Sequence, residues 1–598
     1  MSARTPWWSA ATWVAGGAIA FLAIAWSADL PLRLGLLIYS EQFVAAMIGL
    51  ALCGAFLRRP DDAKPSPVAV ACAIAGFAAG FWIAFRYPVL QADLRGHATE
   101  GMVLGIVVIG LTVEACRRGS GWSMPIIFGL FFAYALFGHY FSGIWQTKSV
   151  RFERLIAYLA LDTSSLLGST MIIVCTTVLV FMVFGRVLQA CGGAEFFTDL
   201  SSALFGRFRG GTGKVEVVAS AFFGSISGSA LANVMSTGII TIPNMKRAGY
   251  KPETAAAVEA VSSTGGQIVP PVMGAAAFLM AENLGVRYAD VAIAAIIPAA
   301  LYFFSVFVQV DYEAASRGIG GIPRSELPRA GAVLRAGWFF ILPFVLLFVL
   351  MFRYNLQADE AVLWSTLAVV PFGAILGYRG QKLNARRFFT ALFATGRDSF
   401  DLLTICAVAA IVIGVLNITG LALSLGLALV KIGEGSMILL LIAVALVCFI
   451  LGLGLPTTGV YLLVAILAAP PLVKLGVPPM AAHMFVLFHG CLSMISPPIA
   501  LAAYAAAHIA GADHMRVGWI ACRLGWPLFV LPFLFAWSPE LLWIGTPANI
   551  AMSIVFAFVG TWLMCSAFAG YLLEPIGPVQ RVLAGIAAIW PTRPTMSE

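Results

Sequence analysis

The sequence predicts an all-α polytopic membrane protein of about sixteen transmembrane segments built around an internal repeat, and three observations carry that prediction. Hydrophobic residues make up 61% of the 598 and charged residues 11%, whereas an ordinary soluble domain is about a quarter charged. Mean hydropathy is +0.94. Apolar runs long enough to cross a hydrocarbon core of ~30 Å follow one another along the chain, and no interval between them is long enough for a soluble domain. Finally, the stretch from about Phe222 to Gly285 recurs from about Phe449 to Ala512 at a constant offset of 227 residues, without a gap.

The register of the repeat rests on its prolines. Pro243 falls on Pro470, Pro252 on Pro479 and Pro270/Pro271 on Pro497/Pro498, while Gly249 falls on Gly476 and Arg247 on Lys474. Each copy joins a Gly/Ser-rich apolar stretch to a proline-broken helix. A duplicated broken helix is a feature of secondary transporters.

The net charge of +8 comes from short basic clusters between spans, which membrane topology explains better than nucleic acid does. Arg58/Arg59 with Lys64, Arg117/Arg118, Arg317 through Arg335, and Arg379 through Arg397 are all placed on the cytoplasmic side. Two spans fit between Arg59 and Arg117, and two between Arg335 and Arg379. The ten cysteines are scattered, mostly within apolar runs such as those of Cys53, Cys72, Cys175 and Cys448, without CxxC spacing. That pattern indicates neither a disulfide framework nor a zinc site. The first apolar run, from about Ala10 to Ala25, reads as an anchoring span rather than a cleaved signal.

In order, residues 1–120 hold four spans, near 10–28, 40–57, 68–86 and 101–115, which read as a plain helical bundle. Residues 121–166 supply a fifth span, 123–143, and an amphipathic stretch from Ser149 to Leu161. There Arg151, Glu153 and Arg154 alternate with Phe152, Leu155 and Ile156, the pattern of a helix lying along a membrane surface. Residues 167–540 begin with a span from about Leu167 to Leu188. The following GRFRGGTGKVE, 206–216, lacks the glycine and hydroxyl positions of a phosphate-binding loop, with Phe208 and Val215 in their places. It reads as a basic interfacial turn. The first repeat occupies 213–285, spans near 289–310, 336–352, 361–378 and 399–432, the last of them one crossing or two, lead to the second at 436–512, and a further span lies near 517–536. Residues 541–598 hold a last span, 548–573, and a tail with no distinct motif.

Gly224-Ser-Ile-Ser-Gly-Ser229 suits a continuous spanning helix poorly, because an interior glycine costs about 1 kcal/mol relative to alanine. It suits a hairpin that enters and turns back. Irregular backbone at membrane depth leaves carbonyls that protein, a cavity or an ion must satisfy, and a sodium ion is the natural candidate for oxygen-only ligands. The second element repeats the logic, since Ser262 through Gln267 precede Pro270/Pro271 and His489 through Ser496 precede Pro497/Pro498. Adjacent prolines remove donors and open the helix. Freed carbonyls of one half-helix can hold a cation while the N-terminus of the other turns its dipole to an anion. Two repeats then frame two cation sites and one central anion site. The alternative is that the small residues serve close helix packing.

The segments VEAVSSTGGQIVPPVMGAAAFLMAE (258–282), GSISGSALANV (224–234), LGLGLPTT (451–458) and SPPIALAAYAAA (496–507) make the chain resemble the membrane component of a TRAP transporter, of the TAXI type in which small and large membrane subunits are fused. The resemblance covers about 120–540 for the large subunit, and the four N-terminal spans look like the small one. It implies a sodium-driven importer of organic acids in the bacterial inner membrane, supplied by a separate periplasmic solute-binding protein, with Na+ as the coupling ion, no other cofactor and no ATPase. It also implies two re-entrant hairpins and two broken helices in inverted repeats, moving as an elevator against a scaffold. Carried over, the ion-binding candidates are Ser225, Ser227, Ser229 and Asn233 with Ser263, Thr264, Gly265 and Gly266. The second set is Gly452, Gly454, Thr457 and Thr458 with Gly490, Ser493, Met494 and Ser496. Gln267, Pro270, Pro271, Pro497 and Pro498, with Glu259 and His489, are the substrate-binding candidates. Where other TRAP branches often carry Thr-Pro-Pro and a downstream Gly-Leu-Asn, this chain has Ser496-Pro-Pro and Ala500-Leu-Ala, a departure in the expected substrate pocket.

Glu259, in the apolar helix before the first break, is an ionisable group at membrane depth and so either a functional residue or one held by a structural partner. Asp401, Glu41 and Glu114 lie nearer span ends and read as interfacial. His483 and His489 are six residues apart, about 120° around a helix, and share no metal-binding face; no HExxH is present. Two other readings stand beside the importer: a sodium/dicarboxylate transporter that needs no binding protein, and a membrane-embedded enzyme or assembly protein. No Ser/His/Asp set, paired aspartates or metal motif in the spans supports an enzyme.

Overall fold

The computed structural model describes residues 6–59, 63–92, 97–433, 436–572 and 574–589, and its described elements are helices. In hydrocarbon every backbone N–H and C=O must be satisfied within the segment, and a helix does this. Thirteen helices of the described residues are long and apolar enough to cross a membrane, and five shorter apolar helices of 10–17 residues accompany them. The sequence count of about sixteen mixes whole crossings with these shorter pieces.

The N-terminal bundle comprises Trp7–Ser27, Ser40–Leu57, Pro67–Ala92 and Ala98–Ser120. Its second and third helices approach at Gly49 and Gly80, where a Cβ on Gly80 would stand 2.5 Å from the Gly49 Cα. Small residues permit such contacts between membrane helices. The first helix docks on Ala385–Thr419 in the same manner, since a Cβ on Gly396 would stand 1.8 Å from the Gly16 carbonyl oxygen. An Arg58–Asp401 ion pair at 2.6 Å ties the end of the second helix to the same long helix. The amphipathic stretch forms the helix Phe152–Leu161. Its apolar face, including Leu155, Ile156 and Leu159, is buried, with Ile156 against Gly105 of Ala98–Ser120.

The stretch 206–216 is a helix start rather than an interfacial turn. Gly210 at φ +64° turns the chain into the helix Gly211–Ser227, which buries Lys214 and Glu216. Lys214 escapes isolation by pairing with Asp311 of Tyr288–Arg317 at 2.6 Å. The run 399–432 likewise divides, because the 35-residue helix Ala385–Thr419 ends at Gly420, φ +69°, before Leu421–Gly433 begins. In the tail, Pro578–Ile589 folds back on Pro547–Ala569, and Arg581 donates from Nε to the Ala567 carbonyl at 2.8 Å and from Nη2 to that of Phe568 at 3.0 Å. These carbonyls at a helix end lack intrahelical partners; residues 590–598 lie outside the described chain.

The sequence repeat is a structural repeat in the same register. The first hairpin, Gly211–Ser227 and Ala230–Arg247, corresponds to Met437–Gly452 and Thr457–Lys474. The first broken helix, Pro252–Gly265 and Ala275–Leu284, corresponds to Pro479–Cys491 and Leu501–Ala510, and Pro270-Pro271 and Pro497-Pro498 are both cis. The copies pack reciprocally: Ala230–Arg247 lies against Pro252–Gly265 and against Leu501–Ala510 of the other copy, and Thr457–Lys474 against Pro479–Cys491 and Ala275–Leu284. Neither copy forms its core alone.

Candidate functional site

The interlocked repeats bring four helix N-termini to one place. Ala230, Ala275, Thr457 and Leu501, the first residues of Ala230–Arg247, Ala275–Leu284, Thr457–Lys474 and Leu501–Ala510, all line a single cavity of about 240 Å³. Local chemistry explains why each helix starts there. Gly228, at φ +61°, turns the first hairpin, and a Cβ on it would meet the Met273 carbonyl oxygen at 2.2 Å. Ser229 then caps the next helix by accepting from the Ala232 N–H at 3.4 Å. Pro456 precedes Thr457, and Gly274 and Ala500 precede the half-helices after the two breaks. The remaining wall includes Phe181 and Met182 of Ser169–Ala190 and Leu402 and Ile405 of Ala385–Thr419.

The electrostatics of the cavity favour an anion without using a cationic side chain. The first N–H groups of a helix have no intrahelical acceptor, and each N-terminus stabilises a negative charge by about 0.3–1 kcal/mol, more when partly buried. Among the described lining residues there is no lysine or arginine. The one carboxylate, Asp398, is ion-paired with Arg186. Three buried polar atoms of the lining, Ser227 Oγ, Gln267 Nε2 and Thr457 Oγ1, have no hydrogen-bond partner in the protein. Gln267 is 7% exposed and Thr457 2%. A buried polar group without a partner costs about 1–3 kcal/mol, and a ligand's oxygens at this cavity would satisfy all three donors.

Of the sequence candidates, Ser227, Ser229, Gln267, Thr457, Thr458 and Met494 converge on this cavity. The others do not line it. At the first break, Gly224 and Gly266 touch backbone to backbone beside the Asn233 Nδ2, which donates to the Ser220 carbonyl at 3.2 Å. Ser225 donates to the Phe222 carbonyl at 2.8 Å and Thr264 to that of Ala260 at 2.7 Å. Ser263 donates to Glu259 Oε1 at 3.1 Å, and Gly265 makes room for the Tyr302 ring. At the second break, Gly452 lies against Ser493 and Gly490 against Thr457 at ordinary contact distances. Ser493 donates to the Gly490 carbonyl at 2.8 Å, Ser496 to that of Leu492 at 2.6 Å, and Gly454 packs on Ser123.

The substrate candidates outside the cavity have structural partners. His489 is buried with Nδ1 2.8 Å from the Phe485 carbonyl and its ring against Phe485 and Phe533, and it does not line the cavity. Pro270, Pro271, Pro497 and Pro498 shape the breaks from behind, and carbonyls expected to be free there are taken by tyrosines. Tyr288 donates to Pro271 and Val272 at 2.7 and 2.6 Å, and Tyr504 to Pro498 at 2.6 Å. Glu259 is fully buried away from the cavity, accepting from Thr237, Thr241 and Ser263. The sequence reading missed two features: the Arg186–Asp398 pair at the cavity wall, and Glu216, a second fully buried carboxyl beside Glu259. The apolar run Val215–Phe223 around Glu216 was the available signal.

Residues 107–546 match the family described as tripartite ATP-independent periplasmic transporter, DctM component. The chain is similar to the C4-dicarboxylate TRAP transporter large permease protein DctM of Pseudomonas aeruginosa, at 24% identity over 357 residues covering 59% of this chain and 81% of that protein. Its namesake in Vibrio cholerae is 24% identical over 396 residues, covering 60% and 85%. The sialic acid TRAP transporter permease protein SiaT of Haemophilus influenzae is 24% identical over 261 residues, covering 44% and 39%. A solved structure, the Alcanivorax borkumensis YdaH transporter, superposes with a TM-score of 0.44 at 16% identity over 69% of this chain and 98% of that one.

Proposed function

The chain belongs to the DctM-component family of tripartite ATP-independent periplasmic transporters, and from that premise we propose that it is the membrane part of a sodium-coupled importer of a small carboxylate. It is a multi-pass inner-membrane protein, a secondary transporter of organic acids and not an enzyme. The family works with a periplasmic binding protein.

The observation that carries the carboxylate reading is the cavity itself, where four helix N-termini and three unpartnered donors meet without a cationic side chain. Backbone N–H groups and dipole ends bind carboxylates and phosphates. A volume of about 240 Å³ suits a small acid. The relatives' names, dicarboxylate and sialic acid, are both of carboxylates. In this reading sodium ions bind at the two breaks, around Gly224 and Gly266 and around Gly452, Gly490 and Ser493, where hairpin and broken helix touch. Ion binding there holds each hairpin tip against the cavity and so couples to substrate.

The TAXI-type fusion of small and large subunits is supported by the extent of the family match. It begins at residue 107, and the first three bundle helices precede it. Reciprocal packing of the two copies supports inverted repeats with re-entrant hairpins, which move as one body past the long helix Ala385–Thr419. The test is uptake into proteoliposomes with the purified partner binding protein. Uptake is expected under an inward sodium gradient and not when potassium or choline replaces sodium; equal uptake driven by a proton gradient alone contradicts sodium coupling.

A further inference from the structure

Midway along the first repeat, away from the cavity, three helices converge on two carboxyl groups. Glu216 comes from Gly211–Ser227, Glu259 from Pro252–Gly265, and Thr237 and Thr241 from Ala230–Arg247. Both glutamates are 0% exposed, and their carboxyl groups lie within hydrogen-bond reach of each other. Thr237 donates to Glu259 Oε1 at 2.7 Å, Thr241 to Oε2 at 2.5 Å, and Ser220 to Glu216 Oε1 at 2.5 Å. Glu216 Oε2 is buried and has no donor.

No protein cation offsets this pair. Among the described residues neither glutamate forms an ion pair, and Lys214, Lys246 and Arg523 of the surrounding helices have other partners. Lys214 is held by Asp311 at 2.6 Å, Lys246 by the Ala510 carbonyl at 2.8 Å, and Arg523 by Glu313 at 3.3 Å. The nearby Tyr302 hydroxyl donates to the Val261 carbonyl at 2.8 Å. Two ionised carboxyls in contact, out of water and without a counter-charge, cost several kcal/mol each, so the pair requires a cation from outside the chain.

The second copy is an internal control. At the 227-residue offset, Glu216, Ser220, Thr237, Thr241, Glu259 and Ser263 become Ala443, Val447, Val464, Ala468, Val486 and Gly490. Gly238, whose Cβ would stand 3.2 Å from the Glu259 Cδ, becomes Ala465. The same helices therefore pack with apolar residues at every one of these positions. The architecture does not require the polar cluster; only one repeat carries it.

We propose that Glu216 and Glu259 form a binding site for one monovalent cation, a sodium ion or a proton, whose occupancy is coupled to the substrate cavity through the first hairpin. The coupling path is short. Thr237, which donates to Glu259, stands one turn after Asn233 with its hydroxyl 3.3 Å from the Asn233 Oδ1, and Asn233 lies against the Gly224–Gly266 contact that seats the hairpin tip. The site is distinct from the two breaks and adds to the proposed sodium coupling there.

The experiment follows the melting temperature of the purified full-length chain along two arms: sodium against choline at fixed alkaline pH, and pH in choline alone. Glu216→Gln and Glu259→Gln keep the shape and remove the charge. Each is expected to fold, to be at least as stable as wild type without cation, and to weaken the cation response of one arm about tenfold or more. The affected arm identifies the ion. Should either variant fold poorly, Glu216→Ala with Glu259→Val, the residues of the second copy, replaces it. Wild-type responses in both arms for both variants overturn the site. If uptake still requires sodium, that result leaves the proposed sodium coupling intact; a wild type without any cation response, whose uptake ignores sodium, overturns both.

Discussion

Gly224 and Gly266 meet backbone to backbone: a Cβ on Gly266 would stand 2.5 Å from the Gly224 Cα, and one on Gly224 2.3 Å from the Gly266 Cα. This contact seats the first hairpin on the first broken helix. Gly266→Ala is therefore expected to destabilise the protein by about 1–3 kcal/mol, the range for overpacking. Gly490→Ala is the control, because its Cβ would meet Thr457 at an ordinary 3.6 Å. Thermal unfolding in detergent checks both, and equal melting temperatures for the two variants contradict the contact.

Gln267 and Thr457 make the opposite case, since the protein offers no partner to Gln267 Nε2 or Thr457 Oγ1. Gln267→Leu and Thr457→Val preserve size and remove a group that is unsatisfied in the free protein. Melting temperature should hold or rise while apparent substrate affinity falls. One lost hydrogen bond of about 1–3 kcal/mol corresponds to roughly five- to 150-fold. Unchanged KM for uptake, with lowered melting temperature, would make both residues structural.

Arg186 pairs with Asp398 at the cavity wall, and with an anionic substrate, as proposed, this pairing offsets the carboxylate's repulsion. Arg186→Gln should raise KM modestly, by about two- to fivefold, because the pair is half-exposed and such pairs contribute about 0–1 kcal/mol. Asp398→Asn in the same chain should restore it. Additive losses in the double variant, read from a double-mutant cycle, contradict the charge argument.

Gly396 carries the docking of the first helix on the long helix, where a Cβ would enter the Gly16 carbonyl. Gly396→Val should displace Trp7–Ser27 and lower the melting temperature, with proteolysis in the N-terminal bundle as the readout. A stable, protease-resistant variant contradicts a fixed bundle.

The repeat and its breaks were legible because prolines and glycines act locally: Pro252 and Pro479, aligned by the repeat, both start helices. Gly420 was less legible, since a single positive-φ glycine divides 399–432 while the apolar run continues through it. Ser227, Thr457 and Met494 entered as ion-binding candidates and Gln267 as a substrate-binding one, carried over from the family resemblance; the cavity they share depends on how the copies interlock, which the sequence does not display. The partners of the prolines and His489 were less legible, because Tyr288 and Phe533 come from other helices, while Tyr504 and Phe485 lie close in sequence but reach them only once the local backbone is folded. Glu216 was hidden by its neighbours Arg207, Arg209 and Lys214, which made the segment look interfacial. Asp311, 97 residues from Lys214, turns it inward.

In the proposed function the cavity at the four helix N-termini holds the substrate. Leu231 lines that cavity and is 44% exposed, so Leu231→Cys in a background free of other reactive cysteines reports on it directly. The measurement is the rate at which a small hydrophilic thiol reagent modifies this cysteine, with and without a C4-dicarboxylate in sodium, in protein that retains uptake of that acid. The expected result is protection that deepens with the acid's concentration and needs roughly five- to 150-fold more acid when Thr457→Val is added. An unchanged modification rate at concentrations that saturate uptake would place the substrate elsewhere.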